Sequence, residues 1–167
     1  MFQRFYPDAY VDNAYEIGYE RLYAKGWRGV IFDIDNTLVP HGAPADKRSI
    51  ALMKRLSGIG FQVMMLSNNK EPRVKLFCDK VGTAYIYKAG KPLAAGYQRA
   101  MAMMGTKPEN TLFVGDQLFT DVWGAKKAGM RTYLVKPIHP KEEIQIIFKR
   151  FFEKIVLYFY EKERKKR

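Results

Sequence analysis

Short apolar runs alternate with segments of helical periodicity along most of the chain. Residues 28–34 read RGVIFDI, an apolar, β-branched run of the kind that forms a buried strand. Residues 46–57 carry Ile50, Ala51, Leu52 and Leu56 at helical spacing and are closed by Gly58 and Gly60. Residues 61–66 form a second apolar run, residues 71–81 a helix ending at Gly82, and residues 84–87 a third, short strand. Pro92 stands where a further helix begins, which runs to Met104 and meets Gly105. A fourth strand over residues 111–114, a helix over 120–128 stopped by Gly129, and a fifth strand over 132–135 complete the series. These units predict an α/β chain with a five-stranded parallel sheet and helices on both faces. Upstream, Tyr10, Tyr15, Tyr19 and Tyr23 recur at roughly helical intervals, as side chains packed on that sheet do.

In sheets of this kind ligands bind beyond the carboxyl ends of the strands. The residues that follow each strand are therefore the candidates. The first strand runs into Asp33-Ile34-Asp35-Asn36-Thr37, whose two carboxylates share one side if the strand continues through them. Carboxylates held so close repel each other unless a cation relieves them. The second strand ends in Ser67-Asn68-Asn69 and the third in Lys88-Ala89-Gly90-Lys91-Pro92. The fourth ends in Gly115-Asp116, with Asp121 following. Carboxylates, a hydroxyl, an amide and lysines thus leave one edge of one sheet. An acidic, oxygen-rich cluster suits Mg²⁺. A lysine and a serine beside it suit a phosphate dianion. One carboxylate can attack phosphorus, and a second can protonate the departing alkoxide.

Composition narrows the class. A chain of 167 residues, 47% apolar and 28% charged, buries one core and is not disordered. Cys78 is the single cysteine, so no internal disulfide forms. There is no C-x-x-C, and His41 and His139 lie far apart, which argues against zinc. The net charge of +12 favours a phosphate-bearing partner. No basic-aromatic recognition motif accompanies it, so nucleic acid is not an expected partner. No apolar run is long enough to span a bilayer, and residues 1–10 lack the apolar core of a secretory signal. A cytoplasmic setting is the expectation.

The strand-end residues carry a resemblance. Asp33-x-Asp35-x-Thr37-Leu38, Ser67, Lys91-Pro92 and Gly115-Asp116-x-x-x-x-Asp121 resemble the four motifs of the haloacid dehalogenase (HAD) superfamily, in order. The resemblance implies a Rossmann-like three-layer sandwich with strand order 3-2-1-4-5. It implies Asp33 as nucleophile and Asp35 as general acid/base, with Thr37 and Ser67 on phosphate oxygens and Lys91 neutralising the phosphoaspartate. Mg²⁺ is implied at Asp33, the Asp35 backbone carbonyl and Asp116, with Asp121 supporting the site. Asn68 is a further expected substrate contact. Ion-pumping members resemble the pattern with Thr in the place of Asp35, so the carboxylate here implies hydrolysis.

Thirty-two residues separate Asp35 from Ser67, and 24 separate Ser67 from Lys91. Each interval is filled by one helix and one strand, which resembles the capless, type III branch. An open site suits a bulky substrate. A narrower resemblance covers nearly the whole chain. Phe5-Tyr6-Pro7, Gly29-Val30-Ile31-Phe32-Asp33-Ile34-Asp35-Asn36-Thr37, Tyr87-Lys88-Ala89-Gly90-Lys91-Pro92 and Gly115-Asp116-Gln117-Leu118 are similar to the YqeG-type family. That family is grouped with phosphatidylglycerophosphate phosphatases. It implies a Mg²⁺-dependent phosphatase acting through an aspartyl phosphate, with a glycerophospholipid as substrate. A phosphatase for a soluble sugar phosphate or nucleotide stands as the alternative. A non-hydrolytic phosphoacceptor stands as the alternative of another class, and the two Asp residues on one strand speak against it.

Residues 1–140 are expected to form the phosphatase domain with its N-terminal extension, and residues 141–167 a basic amphipathic helix. Ile144, Ile147, Phe148, Phe151, Phe152, Ile155, Val156 and Phe159 follow helical spacing. Residues 161–167 add a basic end. Such a helix packs on the domain, pairs with a second copy, or lies in an anionic bilayer interface on the inner face of the membrane.

Overall fold

The computed structural model describes residues 1–139 and 144–167. Six strands form one sheet: β1 (Ala9–Val11), β2 (Gly29–Phe32), β3 (Gln62–Leu66), β4 (Ala84–Ile86), β5 (Thr111–Gly115) and β6 (Arg131–Val135). Their order is β1-β6-β5-β2-β3-β4 and every pairing is parallel. The helices are α1 (Tyr19–Ala24), α2 (Lys47–Ile59), α3 (Glu71–Val81), α4 (Ala94–Met104), α5 (Trp123–Lys127) and α6 (Ile144–Arg164).

Side chains alternate across the strands, as the pleat requires. Val30 and Phe32 face the cluster that holds Leu22 of α1, Leu52 and Leu56 of α2, and Phe77 of α3. Ile31 faces the cluster with Tyr97 and Ala100 of α4 and Ala125 of α5. All four sheet residues from Gly29 to Phe32 are buried, because helices cover both faces. The β2–β3 connection contains only α2, and the β3–β4 connection only α3, so no cap domain interrupts either.

The sheet has six strands where five were expected, and the full order differs because β1 is added at the β6 edge; the five expected strands, read from β4 to β6, stand as 3-2-1-4-5. The sixth strand, β1, pairs with β6 through Ala9↔Tyr133, Tyr10↔Leu134 and Val11↔Val135. Asp8 pins it: its carboxylate accepts from the Thr132 N–H (2.8 Å) and hydroxyl (3.0 Å). Three residues are too few to show a period. The tyrosine spacing is likewise not that of one helix. Tyr10 lies on β1, Tyr15 in a 3₁₀ turn at Ala14–Glu16, and only Tyr19 and Tyr23 on α1. The expected helix over 120–128 is a π-turn, Leu118–Val122, running into α5. The expected domain boundary at 140/141 lies outside the described residues.

The C-terminal helix meets the sheet domain through Glu153, Val156 and Tyr160, which are buried. Val156 packs with Leu118, Val122 and Leu134. Most of its apolar row is open: Phe148 is 70% exposed, Phe151 62% and Tyr158 63%. No described helix is long and apolar enough to cross a membrane.

Candidate active site

Asp33 follows β2 directly, and its N–H still donates to Val114 O on β5 (3.0 Å). The chain then turns. Asn36 takes a left-handed conformation (φ 60°), and the N–H groups of Thr37 and Leu38 return to Ile34 O (3.2 and 3.0 Å). Asp33 and Asp35 are therefore not held as continued strand residues are: both line one cavity, and they take different partners there.

Lys91 Nζ donates to Asp33 Oδ1 (3.0 Å) and to Asp121 Oδ1 (2.7 Å). The other Asp121 oxygen accepts from the N–H groups of Asp116 and Gln117, both at 3.1 Å. The π-turn presents Asp121 there, and Gly115 leaves room for it: a Cβ on Gly115 would lie 2.5 Å from the Asp121 carboxyl carbon. Asp116 accepts from the Thr37 hydroxyl at Oδ1 (3.2 Å) and pairs with Arg150 Nη2 at Oδ2. Carboxylate oxygens of Asp33, Asp116 and Asp121 lie within 4.8 Å of one another, and all three residues are buried.

Asp35 Oδ1 accepts from the Gly42 N–H (2.8 Å) and Arg73 Nη2 (2.9 Å), and Oδ2 from Asn69 Nδ2 (3.2 Å). Its side chain is thus outside the acidic triad of Asp33, Asp116 and Asp121. Ser67 and Asn68 line the same open cavity of about 270 Å³, with Asp33, Asp35, Lys91 and Lys149. Asn68 also grips Lys91, accepting from its N–H (2.8 Å) and donating to its carbonyl (3.0 Å). That pair sets where the lysine enters the site. The Thr37 hydroxyl is spent on Asp116 rather than directed at the cavity. His41 Nδ1 stands 4.0 Å from Asp35 Oδ1.

The electrostatics divide along the same line. Burial pushes the Asp33 carboxyl up to about 6, against the pull of Lys91. Burial, with Asp121 and Asp33 beside it, raises Asp116 well above its ordinary value. Burial acts to raise Asp35 too. The Gly42 N–H, Arg73 and Asn69 outweigh it and hold that carboxyl below its usual range. Burial by itself lowers Lys91, but Asp121 and Asp33 win and raise it. Three buried carboxylates gathered against Lys91 and Arg150 form an all-oxygen donor set that suits a hard divalent cation.

Several residues at the site had been given no role from their sequence position. Arg73 and Asn69 fix Asp35 from α3 and the β3 end. The C-terminal helix brings three more. Lys149 lines the cavity. Arg150 Nη1 donates to the Asp116 carbonyl (2.5 Å) and to Glu153 Oε2 (2.9 Å). Glu153 Oε1 accepts from the Leu118 N–H (2.8 Å). The available signal was an Arg and a Glu at i,i+3 next to an apolar row.

Known proteins place this arrangement. Residues 44–129 match the model of the haloacid dehalogenase-like hydrolases. The chain is 38% identical to a probable phosphatase, YqeG, of Bacillus subtilis, over 94% of this chain and 92% of that protein. The chain belongs to the haloacid dehalogenase-like hydrolases. Within that HAD family it is a phosphomonoester phosphatase of the YqeG type. It is also 27% identical to phosphatidylglycerophosphate phosphatase 1 of Arabidopsis thaliana, over 84% of this chain but 43% of the plant protein. The fold is shared with a putative 3-deoxy-D-manno-octulosonate 8-phosphate phosphatase from Vibrio cholerae: TM-score 0.57, 18% identity, 78% of each chain covered.

Proposed function

We propose that this HAD phosphatase is Mg²⁺-dependent, works through an aspartyl phosphate on Asp33, and hydrolyses phosphatidylglycerophosphate to phosphatidylglycerol. Asp33, Asp116 and the Asp35 carbonyl are the groups assigned to hold Mg²⁺, with Asp121 orienting them. Bound there, Mg²⁺ supplies charge neutralisation for the phosphoryl oxygens. Asp33 attacks phosphorus as the ester bond to the alkoxide breaks. Lys91 offsets the charge that collects around Asp33, and Asn68 fixes the backbone from which Lys91 reaches in. Ser67 and Thr37 are assigned to phosphate oxygens, with Thr37 releasing Asp116 to do so. Asp35 passes a proton to the departing alkoxide and later takes one from the water that cleaves the acyl phosphate. Its support by Arg73, Gly42 and Asn69 suits the ionised form that the second step needs.

The observation that carries the lipid reading is the exposed apolar row on α6, the same helix that sends Lys149 to the cavity. The likeness to the plant enzyme agrees with it. Residues 1–140 then act as the catalytic domain and residues 141–167 as a tail that rests on an anionic membrane surface from the cytoplasmic side, with Lys162 and Arg164–Arg167 meeting headgroups. The test is phosphate release from phosphatidylglycerophosphate in detergent micelles, set beside sugar phosphates, nucleotides and p-nitrophenyl phosphate. The lipid is expected to have the highest kcat/KM by at least an order of magnitude. Preference for a soluble ester overturns the lipid assignment and leaves the chemistry standing.

A further inference from the structure

We infer that the active-site cleft continues into a built acyl-chain groove, and that one hydrocarbon chain of the substrate lies in it while the phosphate sits over Asp33. This rests on the phosphatase reading of the Asp33 cleft. The groove has a volume of about 450 Å³ and is walled on one side by Phe148, Phe152 and Ile155 of α6. Phe2 and Phe5, from the N-terminal extension, form the other side, and Phe119 of the π-turn closes it. Aromatic contacts fix those walls. Phe5 packs edge-on against Phe119 (centroids 5.1 Å apart) and Trp123 (5.4 Å), and Phe2 rests against Phe159 (5.6 Å).

Two observations say what occupies it. The first is continuity. Lys149 lines both this groove and the cavity that contains Asp33, Ser67 and Lys91. The turn between the two is shared as well: Gln117 and Thr120 face the cavity while Phe119 faces the groove. The second is charge. The lone charged side chain in an otherwise apolar lining is Lys149, at the seam, where an anionic headgroup meets its own hydrocarbon chain. An engineered apolar cavity of about 150 Å³ holds a benzene-sized ligand, so this groove takes a considerably longer apolar segment. Sugar phosphates and nucleotides carry no hydrocarbon segment to fill such a surface. A phosphomonoester carrying an alkyl or acyl chain does.

The experiment uses the full chain and a ladder of monoalkyl phosphates from ethyl to dodecyl, each below its micelle concentration. For the wild type, kcat/KM is expected to climb by about fourfold for each methylene buried, until the groove is full. The dodecyl-to-ethyl ratio should collapse toward one in Phe148→Ser and Phe152→Ser. Both side chains are more than half exposed, at 70% and 52%, so folding does not depend on them. Phe151→Ser, on the same helix but outside the groove lining, should keep the wild-type ratio. A flat ladder in the wild type, an unchanged ratio in the groove variants, or an equal collapse in Phe151→Ser each overturns the groove. If no member of the ladder is turned over, calorimetric binding of the ladder separates the two claims. Affinity that rises with chain length and is lost in Phe148→Ser upholds the groove and removes the hydrolytic reading. Affinity without chain-length dependence removes the groove.

Discussion

Arg150 of the C-terminal helix is locked onto Asp116 at the end of β5. Nη2 pairs with the Asp116 carboxylate, Nη1 donates to the Asp116 carbonyl at 2.5 Å, and Glu153 completes the link through the Leu118 N–H at 2.8 Å. The tail is therefore part of the acidic site.

Arg150→Ala leaves a buried Asp116 beside two further carboxylates. Breaking a buried pair in this way costs about 3–5 kcal/mol. The metal-free variant should melt well below the wild type. Mg²⁺ should then raise its Tm by more than it raises that of the wild type, because the cation takes over a charge that Arg150 no longer offsets. Thermal melts with EDTA and with Mg²⁺ check this. An equal Mg²⁺ shift in both proteins removes Arg150 from the electrostatics of the site.

Gly115→Ala tests the close approach behind the acidic triad. The added Cβ meets the Asp121 carboxyl at 2.5 Å, and Asp121 cannot retreat without losing Lys91 and the Asp116 and Gln117 N–H groups. Overpacking of this kind costs about 1–3 kcal/mol. We expect a destabilised but folded protein with greatly weakened Mg²⁺ binding, read by calorimetry. Wild-type Mg²⁺ affinity in this variant shows that the position of Asp121 does not matter.

Asp35 supplies a pH signature. Its folded-state pKa is depressed, so it stabilises the fold above its unfolded value of about 3.9 and that contribution drains away as pH falls through the folded value. Arg73→Gln removes one of the groups that holds the carboxyl down. The pKa of Asp35 should rise toward its ordinary value, and stability should fall less steeply on the acid side. Denaturant midpoints from pH 6 down to pH 3 measure the slope. The same acid slope in both proteins places the support of Asp35 with Gly42 and Asn69 alone.

The central strands and the helices between them were legible in the sequence because each is bounded by Gly or Pro and carries a clear apolar period. Asp33 and Asp116 were legible because each stands just past a strand end, and Lys91 and Asp121 because each follows one within a short loop or turn, and the sheet brings strand ends together. β1 was not, since three residues carry no period and its pairing depends on Asp8 meeting Thr132, more than a hundred residues away. The separate bonding of Asp35 was not, because the chain leaves the strand after Phe32 and the donor groups come from α3 and the loop at Gly42. Arg150 and Glu153 were hidden for another reason: a charged pair on an amphipathic helix reads as solvent-facing until the helix is placed. Glu153, at 4% exposure, is buried all the same.

The most direct measurement is phosphate release from phosphatidylglycerophosphate by the wild type in Mg²⁺, by the wild type in EDTA, and by Asp33→Asn in Mg²⁺. Release in the first case alone, with the other two at background, is the predicted result. Release that persists in EDTA, or in Asp33→Asn, contradicts a metal-dependent reaction through the Asp33 carboxylate.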